Sequence, residues 1–545
     1  MPGFWIDTHV SSGNMKGLRH WRTNKVRNED KIKQRAEELN NSADFDVHRW
    51  SDYSEVNKAV DHLYDEFNAL SGFSGKQKIQ KKHIKVVILD LYVKNQTDPD
   101  MYVAYYRMKG KYKKANRYNQ LHISFTTVTV TDTLEKLGYI ENHKGHYDRT
   151  GVRPSHKTRM RATDKLIDLI VNTHKITPEM IETHPNTECV ILREEQDGKQ
   201  INIEYEDTVD TKRMRGDLYA YNNLLRRSHI DIPKFPVEGV LSESGSKLLK
   251  IDRNNKFVRR IFNNKSWENG GRFYGGWWQG IPKEWRMKIR IDGEETVEID
   301  YSGLHIVLLY GLEGIDYWQD IKSDPYRIEG YEQSDRMRNL LKQLLLTSVN
   351  AKSKVEAIKG VRYEINKNKD KYQWVHDEKI DLQELIDKFS STHAPIAKYF
   401  FSGAGVMLQN IDSEVAGGVI RAFTAKDIPL LCIHDSFIVS RKHAELLHAV
   451  MVLSFMSTLA KRQKANDFVV AEVKHIIAPT NFDFTLHMPE NMDLEEYIDS
   501  IADIKFKLST DVANIALRYL TDDRYYENLM LHRSRTWDRE YYRSL

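Results

Sequence analysis

Apolar and polar residues alternate with a period of two in one segment of the C-terminal half, and a second segment has two apolar runs around a polar centre. In the first, residues 297–299 read Val-Glu-Ile, and Asp300 follows immediately. In the second, residues 430–439 are apolar except for a His-Asp-Ser triplet at 434–436. These patterns predict a strand that ends at Asp300 and a hairpin with Asp435 at its tip.

The N-terminal half shows helical periodicity instead. In residues 84–92 apolar residues recur at i, i+3, i+4, i+7 and i+8, which predicts an amphipathic helix that ends near Asn95. A second helix is predicted over residues 124–137, between a capping serine and a C-terminal glycine. Residues 139–161 then predict a hairpin, so this region reads as a helix followed by two strands.

Composition narrows the class of protein. A length of 545 residues corresponds to about three domains. With 40% hydrophobic and 29% charged residues, and no apolar run near the roughly 18 residues of a membrane span, we expect a globular protein without a membrane partner. The N-terminus lacks a secretory pattern and the two cysteines are far apart, so we expect a reducing, cytoplasmic location. The oligomeric state is not predicted.

Two aspartates at strand ends suit divalent-metal chemistry. Adding a nucleotide to a 3′ hydroxyl is an in-line phosphoryl displacement, which two Mg²⁺ ions about 3.5–4 Å apart assist by holding the attacking and leaving oxygens. Magnesium prefers oxygen ligands, and one or two carboxylates plus substrate phosphates bind it. Asp300 and Asp435 are therefore the predicted catalytic residues and metal ligands for two Mg²⁺ ions, with Mn²⁺ as an alternative. The opposing interpretation is that both are solvated turn residues.

Five short motifs resemble elements of known polymerases. Asp300-Tyr301-Ser302 resembles motif A of the family A (DNA polymerase I-like) enzymes, and His434-Asp435 resembles motif C of that family and of the phage-type single-subunit RNA polymerases. Arg338-Asn-Leu-Leu-Lys342 resembles motif B. In addition, residues 271–274 (Gly-Arg-Phe-Tyr) are similar to a template-binding element of the phage enzymes, and Leu408-Gln409 to a glutamine segment of DNA polymerase I. The resemblance covers about the C-terminal half.

The resemblance implies an α+β fold: a right-hand polymerase palm with an antiparallel sheet and helical fingers. Its motifs imply two further groups of site residues beside the aspartates. The nucleotide-binding group is Arg338, Lys342, Tyr301, His305 and Asn350. The template- or primer-binding group is Arg272, Tyr274, Gln409 and His434.

Three departures from the family pattern bear on the choice of sugar. Asn350 and Ala351 replace an aromatic residue and a glycine of motif B, and Ser436 follows the motif C aspartate as in phage RNA polymerases. His305 stands where family A DNA polymerases have a glutamate against the sugar 2′ position. A bulky imidazole would obstruct a 2′ hydroxyl, which favours deoxynucleotides.

The predicted helix and hairpin of the N-terminal half resemble a winged helix-turn-helix of replication initiators. In that module a recognition helix, here with Thr126, Thr127, Thr129 and Thr131, enters the major groove, and the wing contacts the DNA backbone. Residues 101–120 contain six Lys or Arg, five Tyr and no acid, which suits phosphate contact and base stacking. The alternative is a packing module with a solvated basic face. The predicted DNA-binding residues are Arg149, Arg153, Arg159 and Arg161.

Together these observations predict five regions: a polar helical extension (1–75), a winged-helix DNA-binding domain (76–180), a connecting or thumb-like region (181–255), palm and fingers (256–480) and a helical tail (481–545). The predicted function is template-directed nucleotidyl transfer by a DNA polymerase or primase-polymerase of a mobile element or phage, with DNA template and primer and nucleoside triphosphates as partners. The alternatives are a DNA-directed single-subunit RNA polymerase, a non-catalytic DNA-binding replication initiator, and template-independent tailing.

Overall fold

A computed structural model describes residues 41–71, 77–112, 116–146, 156–236, 239–242, 248–301, 303–321, 323–463 and the strand Phe484–Leu486. The chain is a mixed α+β protein with small antiparallel and mixed sheets. It divides into two compact units. The N-terminal unit comprises the chain to Thr187 together with Lys250–Asn254, and the C-terminal unit comprises Glu188–Leu249 and the chain from Asn255 onward.

The N-terminal unit combines helices with a four-stranded mixed sheet in the order β1-β3-β5-β4, in which β1 is parallel to β3 and the other pairs are antiparallel. A separate antiparallel pair is formed by β2 and β6. The elements are α1 (Ser54–Ser71), α2 (Gln77–Thr97), α3 (Thr126–Lys136), α4 (Asp164–Asp168), β1 (Ser42–Asp44), β2 (Arg49–Trp50), β3 (Tyr102–Tyr105), β4 (Ile140–His143), β5 (Thr158–Ala162) and β6 (Glu182–Thr183).

Helix α2 is at the centre of the N-terminal core. Ile84, Val87 and Leu91, which the periodicity predicts to face inward, are all buried, and the helix ends at Thr97, close to the predicted end. Helix α1 packs into the same core through residues such as Leu63. The predicted boundary between regions 1–75 and 76–180 is therefore not observed. Helix α1 lies in the first region but shares a hydrophobic core with helix α2 of the second.

Helix α3 and the hairpin β4–β5 form where the pattern predicts them. Gly138 follows the helix with a positive φ of 79°, and Ile140 pairs with Ala162 across the hairpin. The predicted recognition surface needs a correction, because Thr127 and Thr131 are completely buried and face the core. They cannot contact base edges.

The C-terminal unit contains two larger sheets. An antiparallel sheet has the order β16-β17-β15-β14-β9, with β18 also paired to β15, and a mixed sheet has the order β13-β12-β7-β8. Strands β10 and β11 form a separate antiparallel pair. The strands are β7 (Val190–Gln196), β8 (Lys199–Asn202), β9 (Ile230–Asp231), β10 (Val240–Leu241), β11 (Leu248–Leu249), β12 (Arg259–Phe262), β13 (Gly270–Tyr274), β14 (Arg290–Ile291), β15 (Glu294–Tyr301), β16 (Leu430–Ile433), β17 (Ser436–Ser440) and β18 (Phe484–Leu486).

Most of the described helical residues of the C-terminal unit lie between β15 and β16, in helices α7 to α12. The described helices of the whole unit are α5 (Val209–Arg227), α6 (Lys283–Arg286), α7 (Leu304–Leu312), α8 (Asp335–Asn350), α9 (Lys354–Lys367), α10 (Lys369–Asp377), α11 (Leu382–Thr392), α12 (Gly405–Ala425) and α13 (Ala444–Gln463).

Two predicted regions differ from the observed units. Within 181–255, helix α5 packs into the C-terminal unit, since Asn222 exchanges two hydrogen bonds with the Val258 backbone and the Tyr221 hydroxyl donates to the Leu430 carbonyl. Within 481–545, the described residues form strand β18 rather than a helix, and the rest of that range lies outside the described residues.

One described helix, Arg441–Arg462, is long and apolar enough to cross a membrane by length and composition alone. Core helices of soluble proteins pass the same test, so this is weak evidence. The segment packs within the unit, because the Tyr301 hydroxyl donates to the Met451 carbonyl at 2.6 Å and the Ser454 hydroxyl donates to the Val415 carbonyl at 2.7 Å. These contacts are consistent with the predicted lack of a membrane partner.

Candidate active site

The two predicted aspartates lie at neighbouring strand ends. In the antiparallel pair β15–β17, Asp300 is directly opposite Ser436, the residue after Asp435. The pairing of Ile433 with Ser436 leaves a two-residue turn, in which His434 adopts a positive φ of 58°. The register thus brings together two carboxylates that are far apart in the sequence.

The electrostatics of Asp300 reflect this arrangement. Burial raises its pKa to about 7, and the negative charges of Asp435 and Glu298 add to the effect, whereas the Lys342 ammonium opposes it. The Asp300 Oδ1 atom is buried and has no hydrogen-bond partner among the described residues. A buried carboxylate without a partner is costly, so this atom calls for a ligand from outside the chain.

A divalent cation fits that requirement. Asp300 and Asp435 would hold it, since ionised carboxylate oxygens are the ligands that Mg²⁺ and Mn²⁺ take. Within the described residues no group of three or more His, Cys, Asp or Glu could hold a metal ion. A two-carboxylate site agrees with Mg²⁺ chemistry, in which substrate phosphates and waters complete the coordination.

Helix α8 presents Lys342 to the aspartates. Ser334 caps the helix by accepting the Met337 N–H at 3.3 Å, and the buried face of the helix includes Leu341 and Leu345. This leaves Lys342 on the exposed face. Lys342 forms no ion pair with any residue that the structure describes, so its ammonium is available to an anionic ligand.

Arg338 has a different environment, one turn earlier on α8. Its Nε donates to Asp324 Oδ2 at 2.7 Å, and its guanidinium lies 5.0 Å from the Tyr326 ring centroid. An incoming triphosphate would have to share or displace the Asp324 contact. Asn350 ends the helix, is exposed, and donates to the Leu346 carbonyl at 2.7 Å.

The placement of Tyr301 corrects the prediction that it binds nucleotide. Adjacent residues of a strand point to opposite faces, so Tyr301 and Asp300 diverge. The Tyr301 side chain is buried, and its hydroxyl donates to the Met451 carbonyl. It is therefore not accessible to an incoming nucleotide.

Asp412 on α12 connects two predicted site residues from other elements. The Arg272 guanidinium of β13 forms a bidentate contact with the Asp412 carboxylate, with Nε at 3.1 and 3.0 Å from its two oxygens. His305 Nε2 of α7 lies 3.0 Å from Asp412 Oδ2 and 3.2 Å from Arg272 Nη2. Because an ionised carboxylate only accepts, Nε2–H donates to Asp412, and the approach of Arg272 to His305 is a contact rather than a second hydrogen bond.

The remaining template or primer candidates surround the same hairpin. The Tyr274 ring, 37% exposed, packs edge-on against the His434 ring with centroids 5.3 Å apart. Burial lowers the pKa of His434 and the charge of Arg272 lowers it further, whereas the carboxylates of Asp435 and Asp412 oppose the shift. Its Nδ1 is buried without a hydrogen-bond partner in the described part of the chain. Gln409 lies one turn before Asp412 on α12 and is partly exposed.

Sequence reasoning missed an ion pair beneath the aspartates. Glu298, two residues before Asp300 on the same face of β15, is buried and is held by Arg286 at 3.0 and 3.1 Å. The Ser436 hydroxyl donates to Glu298 Oε1 at 3.0 Å. Glu298 therefore links the strand that carries Asp300 to the residue beside Asp435. The sequence signal that could have revealed this ion pair is Glu298 itself, a charged residue between Val297 and Ile299 in the predicted strand.

The predicted DNA-binding arginines of the N-terminal unit are only partly described. Arg149 and Arg153 lie outside the described residues. Arg161 donates to Asp100 at 3.3 Å and to Glu141 at 2.9 Å, so its charge is compensated. Arg159 donates to the Lys157 carbonyl and to Ser42, without a carboxylate partner among the described residues.

The tyrosines of residues 101–120 do not form one surface. Tyr102 and Tyr105 are buried in strand β3, whereas Tyr106 is 41% exposed. The ammonium groups of Lys111 and Lys157 lie 5.5 and 4.7 Å from the Tyr106 ring centroid. Tyr106 is thus a better candidate for base stacking than the two buried tyrosines.

The chain matches no protein-family model, and a search of the curated proteins found no significant match.

Proposed function

We propose that the C-terminal unit is a template-directed nucleotidyltransferase with a palm-like sheet and helical fingers, and that the protein is a DNA polymerase or primase-polymerase. The observation that carries this proposal is the pairing of β15 with β17, which sets Asp300 beside Asp435 with the Lys342 ammonium facing them. Two carboxylates that can hold Mg²⁺ and a cation that can neutralise phosphate charge suit phosphoryl transfer.

Each residue then has a defined task. Mg²⁺ held by the aspartates would polarise the reacting oxygens and neutralise charge that develops on the phosphates. Lys342 would bind the triphosphate, and Arg338 would join it by leaving or sharing Asp324. Arg272 and Tyr274 would face the template or primer, and Asp412 fixes the direction of the Arg272 guanidinium.

The sugar preference depends on His305. Its imidazole is anchored by the Asp412 hydrogen bond, so it would act as a fixed volume beside the nucleotide rather than as a mobile side chain. This supports deoxynucleotides. RNA synthesis is the second candidate, favoured by Ser436 after Asp435 and by the Gly-Arg-Phe-Tyr element at 271–274.

In the N-terminal unit, the α3–hairpin module would deliver the enzyme to DNA through backbone contacts by Arg159 and the neighbouring basic residues. The buried α3 threonines support a largely sequence-independent contact, since they remove two of the candidate base-reading side chains.

A primer-extension assay tests the proposal. Purified protein is supplied with Mg²⁺ or Mn²⁺ and with dNTPs or NTPs, with and without primer and template. We expect metal-dependent, template-dependent extension, and none with chelator. Incorporation by an Asp300→Asn and Asp435→Asn double variant at the wild-type rate would refute the assignment of the active site.

The ratio of kcat/KM for dNTPs over NTPs separates the two candidate products. We expect wild type to prefer dNTPs and His305→Ala to reduce the ratio by about tenfold, because the steric penalty on ribose is removed without a new contact to deoxyribose. Asp412→Asn should shift the ratio in the same direction. A wild-type preference for NTPs would make RNA synthesis the better assignment.

A further inference from the structure

The solvent-facing side of helix α9 has an unusual distribution of charge. Ser353 caps this helix by accepting the Glu356 N–H at 3.2 Å. Its inner side is formed by Ala357, Ile358, Val361 and Ile365, all buried. Because residues three and four apart share a helix face, this inner side fixes which residues point outward.

Three cations and one aromatic ring lie together on the outward side, and we call Lys359, Arg362, Tyr363 and Lys367 the α9 basic face. They are separated by three, one and four positions and are all exposed. Tyr363 is 64% exposed, more than any other large aromatic side chain in the part of the chain that the structure describes. The Lys367 ammonium lies 5.9 Å from the Tyr363 ring centroid.

None of these three cations forms an ion pair with a described residue. The two acids of α9 have other contacts: Glu356 accepts the Lys352 N–H at 2.9 Å, and Glu364 accepts from the Asn368 side chain at 3.3 Å. Other cations of this region show the opposite arrangement, since Arg336 of α8, Lys354 at the start of α9 and Lys388 of α11 are each paired with a carboxylate.

Local charge supports the contrast. Residues 352–371 contain seven Lys or Arg and three Asp or Glu, an excess of four positive charges, which equals the formal net charge of +4 of the whole chain. An ordinary solvated helix face mixes both signs, so this excess of positive charge along α9 and the residues that flank it creates an attractive field for a polyanion.

We propose that the α9 basic face binds single-stranded DNA. Its cations would contact phosphates, and Tyr363 would stack on an unpaired base. Over eight residues the helix advances about 12 Å, enough to follow a few nucleotides of one strand. A duplex hides the flat faces of its bases, so the exposed ring favours a single strand. Binding needs neither nucleotide nor metal, and it is therefore independent of the proposed transfer chemistry.

The test uses the full chain and a fluorescently labelled oligo-dT, with chelator present and nucleotide absent. Anisotropy titrations over a range of NaCl give the slope of log K against log [salt]. In the triple variant Lys359→Gln, Arg362→Gln, Lys367→Gln the slope should flatten by up to about 2, since each lost contact to a single strand contributes about 0.7.

A matched control removes the same charge from three cations that are paired with carboxylates and lie outside the α9 basic face: Arg336→Gln, Lys354→Gln, Lys388→Gln. We expect this control to keep the wild-type slope. If both triple variants change the slope equally, only net charge matters and the specific face is refuted. Thermal melts establish that the variants are folded.

Tyr363 tests stacking separately from charge. Tyr363→Ala should weaken oligo-dT binding about tenfold, whereas Tyr363→Phe should bind like wild type, because stacking needs the ring and not the hydroxyl. Duplex binding should be unaffected by either change. An equal loss on duplex, no loss on oligo-dT, or a clear preference for oligo-rU would overturn the assignment to single-stranded DNA.

Discussion

Each unit contains a buried aspartate with a raised pKa, and the two differ in the charges around them. In the N-terminal unit burial raises the pKa of Asp90 to about 6, but Lys94 and Arg49 oppose this, and the Asp46 N–H donates to its carboxylate at 3.0 Å. In the C-terminal unit the strongest charge acting on Asp300 is Asp435, another carboxylate. Asp90 and Asp300 each keep one buried oxygen without a hydrogen bond from the described residues, but Lys94 and Arg49 both oppose the raised pKa of Asp90, whereas Asp300 is opposed by Lys342.

The same distinction recurs on a single strand. Glu298 and Asp300 point to one face of β15, and Glu298 has an arginine and a serine as partners. Asp300 keeps a buried oxygen without one. Glu298 is thus satisfied within the fold, whereas Asp300 keeps a polar atom that a ligand can contact, which is the property expected of a functional position.

Substitutions of Asp300 and Asp435 should differ from a substitution of Asp90 in their effect on nucleotide incorporation, and this is the strongest effect that we expect. Asp300→Asn or Asp435→Asn should reduce nucleotide incorporation by at least about 1,000-fold, because each removes a metal ligand from the site of charge stabilisation. Asp90→Asn should instead leave incorporation per folded molecule unchanged, because Asp90 belongs to the N-terminal unit and is not part of the proposed active site. Steady-state incorporation per folded molecule is the measurement. Normal incorporation by both the Asp300→Asn and the Asp435→Asn variant would contradict this contrast.

Lys342 tests whether a protein cation serves the aspartate site. Lys342→Ala should lower kcat/KM for the nucleotide about 100-fold, since a cation aimed at the phosphates is lost. Arg338→Ala should have a smaller effect because Arg338 already has Asp324 as a partner. DNA affinity without nucleotide should remain unchanged in both. Loss of DNA affinity with normal nucleotide use would place both residues at the template instead.

Glu298 and Glu294 provide a matched pair on β15. Each carboxylate accepts from a serine of β17, but only Glu298 is buried beside Asp300. Glu298→Gln should raise the Mg²⁺ concentration required for half-maximal incorporation about tenfold, because the Arg286 and Ser436 contacts that set the spacing of the aspartates are weakened. Glu294→Gln should not change it. Equal behaviour of the two variants would remove Glu298 from the site.

Stability without metal gives a test that does not depend on turnover. Because folding raises the pKa of Asp300 to about 7, the neutral carboxyl stabilises the fold at low pH, and this contribution is lost as pH rises through about 7. In chelator, Asp300→Asn should therefore be more stable than wild type by about 1–3 kcal/mol at a pH of about 8, and less so at about 5.5. Mg²⁺ should reduce the difference by stabilising wild type. A pH-independent difference in thermal midpoint would contradict the assignment.

The smallest effect is expected in the N-terminal unit. Arg159→Gln should reduce the salt dependence of duplex binding by about 0.9 in the log–log slope, the value for one phosphate contact. Arg161→Gln should change it less, because Asp100 and Glu141 already compensate its charge. The ranking is read from titrations with duplex DNA over a range of NaCl. A larger effect of Arg161→Gln would show that its ion pairs open on binding.

The local elements of this protein follow from patterns among neighbouring residues. Alternation predicted a strand ending at Asp300, the apolar runs predicted the hairpin that carries Asp435, and helical spacing predicted the inward face of α2. The sequence also indicates where the Tyr301 side chain points, because adjacent residues of a strand face opposite sides and Tyr301 follows Asp300. These features follow from backbone geometry and from burial of one face, which neighbouring residues specify together.

The meeting of distant side chains follows instead from how whole elements pack. Asp412 joins Arg272 and His305 across 140 and 107 positions of the chain, and Arg215 of α5 pairs with Glu188. Likewise, the packing of α3 buries Thr127 and Thr131, although a threonine side chain suits either a buried or an exposed face. Such contacts depend on the crossing and register of whole elements, and local patterns carry no information about which partner a buried charge will meet.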